Sequence, residues 1–325
     1  MNAISIHRGG GEENLVGCIL CHDVRTDRNE IVFRKGHVIR ADDVPLLVAC
    51  RWMELHLLEL GPDDIAQREA GERLARSISG ESVRVVPSGH RHLLKANQKG
   101  LLKIDVDSLA RLNCLSNIAV CTLWNDQPVA EDQTVAEAQI TPLAVARTTL
   151  EEAERIGPCV RVLPFVPREV VLWVRNERRI DGLSEKLRRF GCSIRETIEL
   201  VGDAPAIRAS FEKQAGATIF LIAGTNALDP LDPVFDALEQ MGATMRRIGM
   251  PVHPGTLLWF ATWRDVTIIG LPTCGLTSQT TAFDLVLPKL LAEGKLSAHD
   301  LASMGHGGIL RGASRQVLES VDHVR

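Results

Sequence analysis

The chain has 325 residues, of which 45% are hydrophobic and 24% charged, values typical of a globular protein long enough for two average domains. This composition excludes a disordered chain, a fibre and a small disulfide scaffold. A formal net charge of −4 and an aromatic content of 4%, with no tyrosine, argue against a nucleic-acid partner.

The sequence indicates neither a membrane span nor a secretory signal. It contains no stretch of about 18 apolar residues, and Met1–Gly11 lacks the apolar core of a signal peptide. We therefore expect a cytoplasmic protein with no membrane partner. In that reducing compartment, the eight cysteines are expected to be buried free thiols.

Short apolar runs separated by polar turns fill the first half and predict a mixed α+β domain over residues 1–160. Strands are predicted at Leu15–Cys21, Ile31–Arg34, Val83–Pro87, Lys103–Val106, Ile118–Leu123 and Thr134–Ile140, and an apolar run at Trp52–Leu60. Helical spacing is found at Asp42–Cys50, Pro62–Ser79 and Asp107–Leu112. Three prolines make Pro158–Pro167 the best candidate for a linker.

After this linker the pattern changes to strands that alternate with helices. Strands are predicted at Val170–Val174, Ser193–Val201, Thr218–Ala223, Thr244–Ile248, Leu257–Ala261 and Val266–Gly270. Helices are predicted around Leu183–Phe190, after Asp203, from Asp232-Pro233 to Met241, and over Leu276–Leu291. Residues 161–325 are therefore predicted to form an α/β domain with a doubly wound, mostly parallel sheet.

Two loops of this domain carry residues suited to a ligand site. Ligands of open parallel sheets bind at the carboxyl ends of the strands. Asp229 and Asp232 follow one strand and could hold Mg²⁺ through their carboxylates. Thr277 and Ser278 follow another, where a helix start could bind phosphate. Purely structural roles stay open, since Asp232 before a proline is also a good helix cap.

The order of these loops resembles the molybdopterin-binding domain of the molybdenum-cofactor biosynthesis proteins, over about residues 168–295. That family has a glycine loop with an acidic residue eight positions after its first glycine, a spacing that Gly224 and Asp232 keep. Its Pro-Gly after a strand is matched by Pro254-Gly255. Its Gly-Leu-Pro-Gly-Asn-Pro loop is matched in outline by Gly270–Gly275.

A divergent stand-alone branch of the family is similar in more detail. It has the pattern Gly-Met-Pro-Val-x-Pro-Gly, a Pro-x-Cys loop and Phe-Asp-x-Val-Leu in the last helix. This chain has them as Gly249–Gly255, Pro272–Cys274 and Phe283–Leu287. It departs from the family at Thr225, where a second loop glycine is expected, and has only Glu177 in place of an acidic loop of the insertases. Because lost glycines restrict the approach of backbone to phosphate, the resemblance favours binding over catalysis.

The resemblance implies a protein that binds molybdopterin or molybdenum cofactor and acts in cofactor biosynthesis, maturation or delivery to a client molybdoenzyme. It implies Asp232 as the residue for any catalysis and Asp229 with Asp232 as ligands of Mg²⁺. Replacing Asp232 with alanine is then expected to abolish Mg²⁺-dependent binding while melting stays nearly unchanged. The implied pterin contacts are Gly224, Thr225, Asn226, Asp229, Pro254, Gly255, Pro272, Thr273, Cys274, Gly275, Thr277 and Ser278. Since relatives form dimers or trimers, a homo-oligomer is also implied.

Two alternatives stay open at this stage. One is a Mg²⁺-dependent molybdenum insertase or molybdopterin nucleotidyl-transfer enzyme, as in the catalytic relatives. The other is a scaffold or regulatory protein without a ligand, which the missing glycines would permit.

Two motifs in the first half stand outside this resemblance. Cys18-x-x-Cys21-His22 matches a haem attachment pattern, but without an export signal we expect buried strand cysteines on opposite faces. His90-Arg91-His92, near Lys95, predicts either an anion or metal site or a plain surface strand.

Overall fold

The computed structural model describes residues 1–9, 15–175, 180–214, 216–225 and 227–310. Contacts divide the chain into two compact units. Unit 1 comprises Met1–Gln98, Leu102–Asn125 and Glu131–Val162, and unit 2 comprises Lys99–Leu101, Asp126–Ala130 and the chain from Leu163 onward.

The elements of the first half are mostly short strands. In chain order they are β1 (Asn2–His7), β2 (Ile19–Leu20), β3 (Val24–Arg25), β4 (Ile31–Phe33), α1 (Val44–Ala49), β5 (Glu54–Glu59), β6 (Asp64–Ala66), α2 (Gln67–Ile78), β7 (Val83–Ser88), β8 (Arg91–Ala96), β9 (Gly100–Ile104), α3 (Val106–Cys114), β10 (Ile118–Thr122), β11 (Pro128–Val129), β12 (Thr134–Ile140), β13 (Ala144–Ala146), α4 (Arg147–Ile156) and β14 (Val160–Pro164).

Two antiparallel sheets form much of unit 1. One sheet has the order β1-β5-β2 and a second the order β10-β12-β8-β7. An apolar cluster that includes Leu20, Phe33 and Leu55 forms the core at the N-terminal sheet. Helix α2 buries a stripe of Ala70, Leu74, Ala75 and Ile78, and its other side stays polar, so it covers the second sheet with its apolar face.

The second half alternates strands with helices. Its elements are β15 (Glu169–Val174), α5 (Asp181–Arg189), β16 (Ser193–Glu199), α6 (Ala204–Glu212), β17 (Ile219–Ala223), α7 (Pro233–Gln240), β18 (Thr244–Ile248), β19 (Trp259–Trp263), β20 (Val266–Leu271), α8 (Ala282–Glu293) and α9 (Ala298–Ser303). A six-stranded sheet of order β16-β15-β17-β20-β19-β18 organises them.

Two apolar layers cover the two faces of this sheet. Alternate strand residues contact different helices because successive side chains point to opposite faces. Leu172 and Leu221 belong to the layer under α5 and α8, whereas Trp173 and Phe220 belong to the layer under α6 and α7. Strands β15, β16, β17 and β20 are parallel to one another, and β19 runs antiparallel to both of its neighbours, β20 and β18. The predicted α/β class of the second half is confirmed, with a mixed sheet.

Several element boundaries differ from the sequence predictions. The helix predicted from Leu276 begins instead at Ala282, because Thr281 and Asp284 form a capping box at that point. Residues Thr273–Leu276 form a separate 3₁₀ turn. The strand predicted at Leu257–Ala261 lies two residues later, at β19. The start of the predicted helix Pro62–Ser79 is partly strand β6, and β1 was not predicted.

The expectation that all the cysteines are buried is wrong. Cys18, Cys50, Cys159 and Cys192 are buried free thiols, Cys274 is half-buried, and Cys21, Cys114 and Cys121 are exposed. Cys18 and Cys21 flank β2 on either side, and the expectation of two buried strand cysteines is therefore wrong for this pair. Within the described ranges, no helix has both the length and the apolar character needed to cross a bilayer.

Candidate functional site

The predicted ligand-side loops leave the sheet of unit 2 at a single edge. In the register of the parallel strands, Ala223 at the end of β17 is level with Val174 of β15 on one side and with Leu271 of β20 on the other. The residues that follow, Arg175, Gly224 and Pro272, therefore emerge next to one another. Strand β19 runs antiparallel to β20 and begins at this edge, so the segment before it also arrives there.

A cleft of about 420 Å³ lies between two of these loops. Four of the predicted contacts line it: Pro254, Gly255, Pro272 and Cys274. The other lining residues are His253, Thr256, Leu257 and Gln279. The cleft is mostly apolar, and a cysteine and a glutamine are among its lining residues.

The Pro254-Gly255 segment is fixed against the start of α8. The amide of Ala282 donates a hydrogen bond to the Pro254 carbonyl at 2.9 Å. Gly255 has φ of +112°, and a Cβ there would lie 2.6 Å from the Ala282 nitrogen. Only glycine suits this backbone and this close approach, so the Pro-Gly signature has a structural cause.

A buried lysine, Lys186, fixes the loop after β20, and it was not predicted from the sequence. Lys186 of α5 donates to the Gln279 carbonyl at 2.6 Å and to Asp284 Oδ2 at 2.7 Å. Its position between Leu183 and Leu187, on the apolar face of α5, is the signal that would have identified it. In the same loop, the Thr277 hydroxyl donates a hydrogen bond to the Cys274 carbonyl at 2.9 Å, so its proton already has an acceptor within the protein.

The remaining predicted residues of this loop stay close to the same edge. Thr273 and Gly275 lie in the 3₁₀ turn, and the Gly275 amide donates to the Pro272 carbonyl at 2.8 Å. Ser278 is exposed and follows Thr277. The backbone at these two residues packs so tightly on α5 that Gly182 has no room for a Cβ.

The glycine loop after β17 approaches the end of β15 closely. Gly224 has φ of +84°, and a Cβ there would lie 2.8 Å from the Arg175 carbonyl oxygen. Thr225, in place of the expected second glycine, is 1% exposed, and its hydroxyl finds no hydrogen-bond partner among the described residues. Asn226 and Glu177 lie outside the described residues. A buried hydroxyl without a partner is unusual and is a reason to expect a polar ligand or a water beside it.

Asp232 is buried and fully engaged in protein contacts. Its carboxylate accepts hydrogen bonds from Arg175 Nη1 at 2.7 Å and Nη2 at 3.0 Å. As the cap of α7, it also accepts a hydrogen bond from the Val234 amide at 3.0 Å. Arg175 is a second residue that the sequence analysis did not identify. A charged residue directly after a buried strand is the signal for it.

The two aspartates predicted for Mg²⁺ do not form an open carboxylate site in this conformation. Asp229 is exposed, and its Oδ1 accepts the Leu231 amide at 3.0 Å. At Asp232 the guanidinium already neutralises the charge that Mg²⁺ would use. No cluster of three or more His, Cys, Asp or Glu side chains suited to a metal occurs in the part of the chain that the structure describes.

Comparison with known proteins gives one short family match and a set of distant structural likenesses. A domain of unknown function, DUF8806, matches residues 13–50. No curated protein matches the sequence significantly.

Solved structures similar to the chain include three molybdopterin biosynthesis proteins. The enzyme MoaB from Thermus thermophilus is 15% identical, with a TM-score of 0.30 over 39% of this chain and 98% of that chain. A protein from Mycobacterium abscessus is 8% identical, with a TM-score of 0.27 over 40% and 99%. The MoeA protein from Pyrococcus horikoshii is 12% identical, with a TM-score of 0.31 over 93% and 77%. These values mark a distant likeness.

Proposed function

We propose that unit 2 binds molybdopterin or molybdenum cofactor at the carboxyl edge of its sheet. On this proposal the protein acts in biosynthesis, maturation or delivery of that cofactor. The observation that supports it most directly is convergence, because the loops at Gly224 and Pro272 and the segment at Pro254 all meet at one edge. The cleft between two of them, of about 420 Å³, has the size of a small-molecule site.

The cleft suits a flat polar ring. Pro254, Leu257 and Pro272 give it apolar walls that can cover the faces of a ring. Gln279 supplies an amide, which can pair with the donors and acceptors at the edge of a pterin.

Within this proposal Asp232 is a positioning residue that acts through Arg175. The Asp232 carboxylate accepts hydrogen bonds from both terminal nitrogens of Arg175 and so fixes the plane of the guanidinium at the edge of the sheet. The Arg175 side chain is 31% exposed, and guanidinium carries five N–H donors, so donors remain for a ligand phosphate. Binding of Mg²⁺ by Asp229 and Asp232 stays a prediction, in which the ion has to compete with this guanidinium.

The test is fluorescence of oxidised pterin released from the freshly purified protein, together with equilibrium binding. Replacement of Cys274 by tryptophan fills the cleft and should abolish pterin binding. Cys114→Trp is the matched control, because Cys114 is an exposed thiol on α3 of unit 1. Equal pterin content in both variants would contradict the proposed site.

Two other outcomes correspond to the alternatives. A wild-type protein that neither carries pterin nor binds it at micromolar concentration would favour the scaffold. Hydrolysis of an adenylylated pterin on addition of molybdate would instead indicate insertase activity. Either result separates these functions from a passive carrier.

A further inference from the structure

A cleft in unit 1 is lined by none of the residues of the proposed pterin site and has an unusual charge. It measures about 650 Å³ and is lined by Cys21, Asp23, Arg34, Lys35, Gly36, Gln67, Arg68, Gly89, His90, Gln139, Thr141, Pro142 and Leu143. The chain as a whole has a formal net charge of −4, yet this cleft has three permanent cations and one carboxylate. An excess of positive charge in a concave site attracts anions.

Within the described residues, no side chain neutralises the three cations. Among the described residues, the charged ends of Arg34, Lys35 and Arg68 form no hydrogen bond or ion pair, and all three side chains are exposed. Asp23, the single carboxylate, already accepts the Lys35 amide at 2.9 Å and lies 3.9 Å from Arg25. The cationic groups in the cleft therefore keep their donors available.

The other lining residues add a side-chain amide and one apolar wall. Gln67, the first residue of α2, is already engaged, because its backbone amide donates to the Leu143 carbonyl at 2.8 Å and its side-chain amide to the Ile140 carbonyl at 2.7 Å. Gln139 is half-buried and contributes a second side-chain amide to the lining. Pro142 and Leu143 form an apolar patch beside them. This combination fits a molecule with an anionic end and an organic body.

We infer that this cleft of unit 1 binds a phosphorylated small molecule, with Arg34, Lys35 and Arg68 contacting its phosphate oxygens. Arginine and lysine are suited to phosphate because their N–H groups make charge-assisted hydrogen bonds with it. His90 lies at the turn between β7 and β8 and supplies a further donor. The anion-site interpretation of His90-Arg91-His92 thus applies to His90 and not to His92, which is buried.

Titration with pyrophosphate tests the anionic part of this site. Isothermal titration calorimetry on the full chain should detect binding, and Arg34→Gln and Arg68→Gln should each weaken it by at least about fivefold. Arg76→Gln is the matched control: it removes the same charge from the last turn of α2, where Arg76 pairs with Glu72. The control should change affinity by less than about twofold, because exposed charges a Debye length away are screened.

Because Arg34 and Arg68 are exposed, their replacement should leave the melting temperature unchanged, which circular dichroism verifies. Absence of pyrophosphate binding by the wild-type protein at millimolar concentration would overturn the inference. Equal weakening in Arg76→Gln would overturn it too, because it would indicate general charge attraction.

Alkylation of the wild-type protein locates the ligand without any substitution. Cys21 lines the cleft, whereas the exposed thiols Cys114 and Cys121 do not. Saturating pyrophosphate should slow the reaction of Cys21 with iodoacetamide at least about threefold and leave the other two rates unchanged. Partial desolvation raises the pKa of the Cys21 thiol although the residue is exposed, so the rates are measured at alkaline pH by mass spectrometry. Bound pyrophosphate without protection of Cys21 would place the anion elsewhere and refute the assignment.

Discussion

Replacement of Asp232 by alanine should destabilise unit 2, contrary to the expectation from sequence that melting stays nearly unchanged. Loss of the helix cap on α7 costs about 1 kcal/mol. Breaking a fully buried ion pair costs about 3–5 kcal/mol, and about 1–2 kcal/mol is expected here because the Arg175 side chain is 31% exposed. The sum of about 2–3 kcal/mol corresponds to a fall in Tm of roughly 4–12 °C for a unit of this size.

Differential scanning calorimetry of a set of variants separates the two contributions. Asp232→Asn keeps a good capping residue and loses the charge, so its Tm should lie between those of Asp232→Ala and the wild type. Asp229→Ala is the control, since Asp229 is exposed and loses only one hydrogen bond, worth about 1 kcal/mol or less. The double variant of Asp232→Ala with Arg175→Met should be more stable than the two single effects predict when added.

The reasoning fails if Asp232→Ala melts within about 2 °C of Asp229→Ala. That result would mean that the Arg175–Asp232 contacts contribute no net stability. A purely additive double variant would likewise show that the two side chains are not coupled.

Three further predictions concern other residues of unit 2 that make close structural contacts. Lys186→Met should lower the free energy of unfolding by about 2–4 kcal/mol in urea titrations, because Asp284 loses its buried cation; Lys295→Met, on an exposed segment, should have no effect. Gly224→Ala should cost about 2–3 kcal/mol, from the left-handed backbone and the contact with Arg175, whereas Gly242→Ala has the same backbone strain but open space. Burial opposes ionisation of Asp300, but hydrogen bonds from Ser297 and the charge of Lys289 outweigh it and lower its pKa to about 2. Its stabilisation should therefore be present above about pH 4 and be lost as pH falls toward 2, a loss that Asp300→Asn should not show.

Much of the second half could be predicted because its signals are local. Strand β18 has the predicted bounds, and Asp203 and Asp232 are the predicted helix caps. A buried strand such as β17 is apolar at every position, which a short window of sequence reveals. The convergence of the loops then follows from the parallel order of the strands.

What could not be predicted depends on pairs that are distant in sequence. Arg175 and Asp232 are separated by 57 positions, and Lys186 and Asp284 by 98. Neither contact leaves a periodic signal, since each needs the sheet order to be known. The pairing of β1 with β5 in unit 1 is of the same kind. The start of α8 was predictable in principle, because Thr281 and Asp284 have the spacing of a capping box.

The hydrogen bond from Lys186 to the loop after β20 has a consequence for which positions of the sequence can change. Lys186 contacts the main-chain oxygen of Gln279, and Gln279 is also one of the residues that line the cleft. A substitution at position 279 can therefore change the lining of the cleft while the hydrogen bond from Lys186 to the main chain is kept. The lining and the anchor of this loop depend on different atoms of one residue.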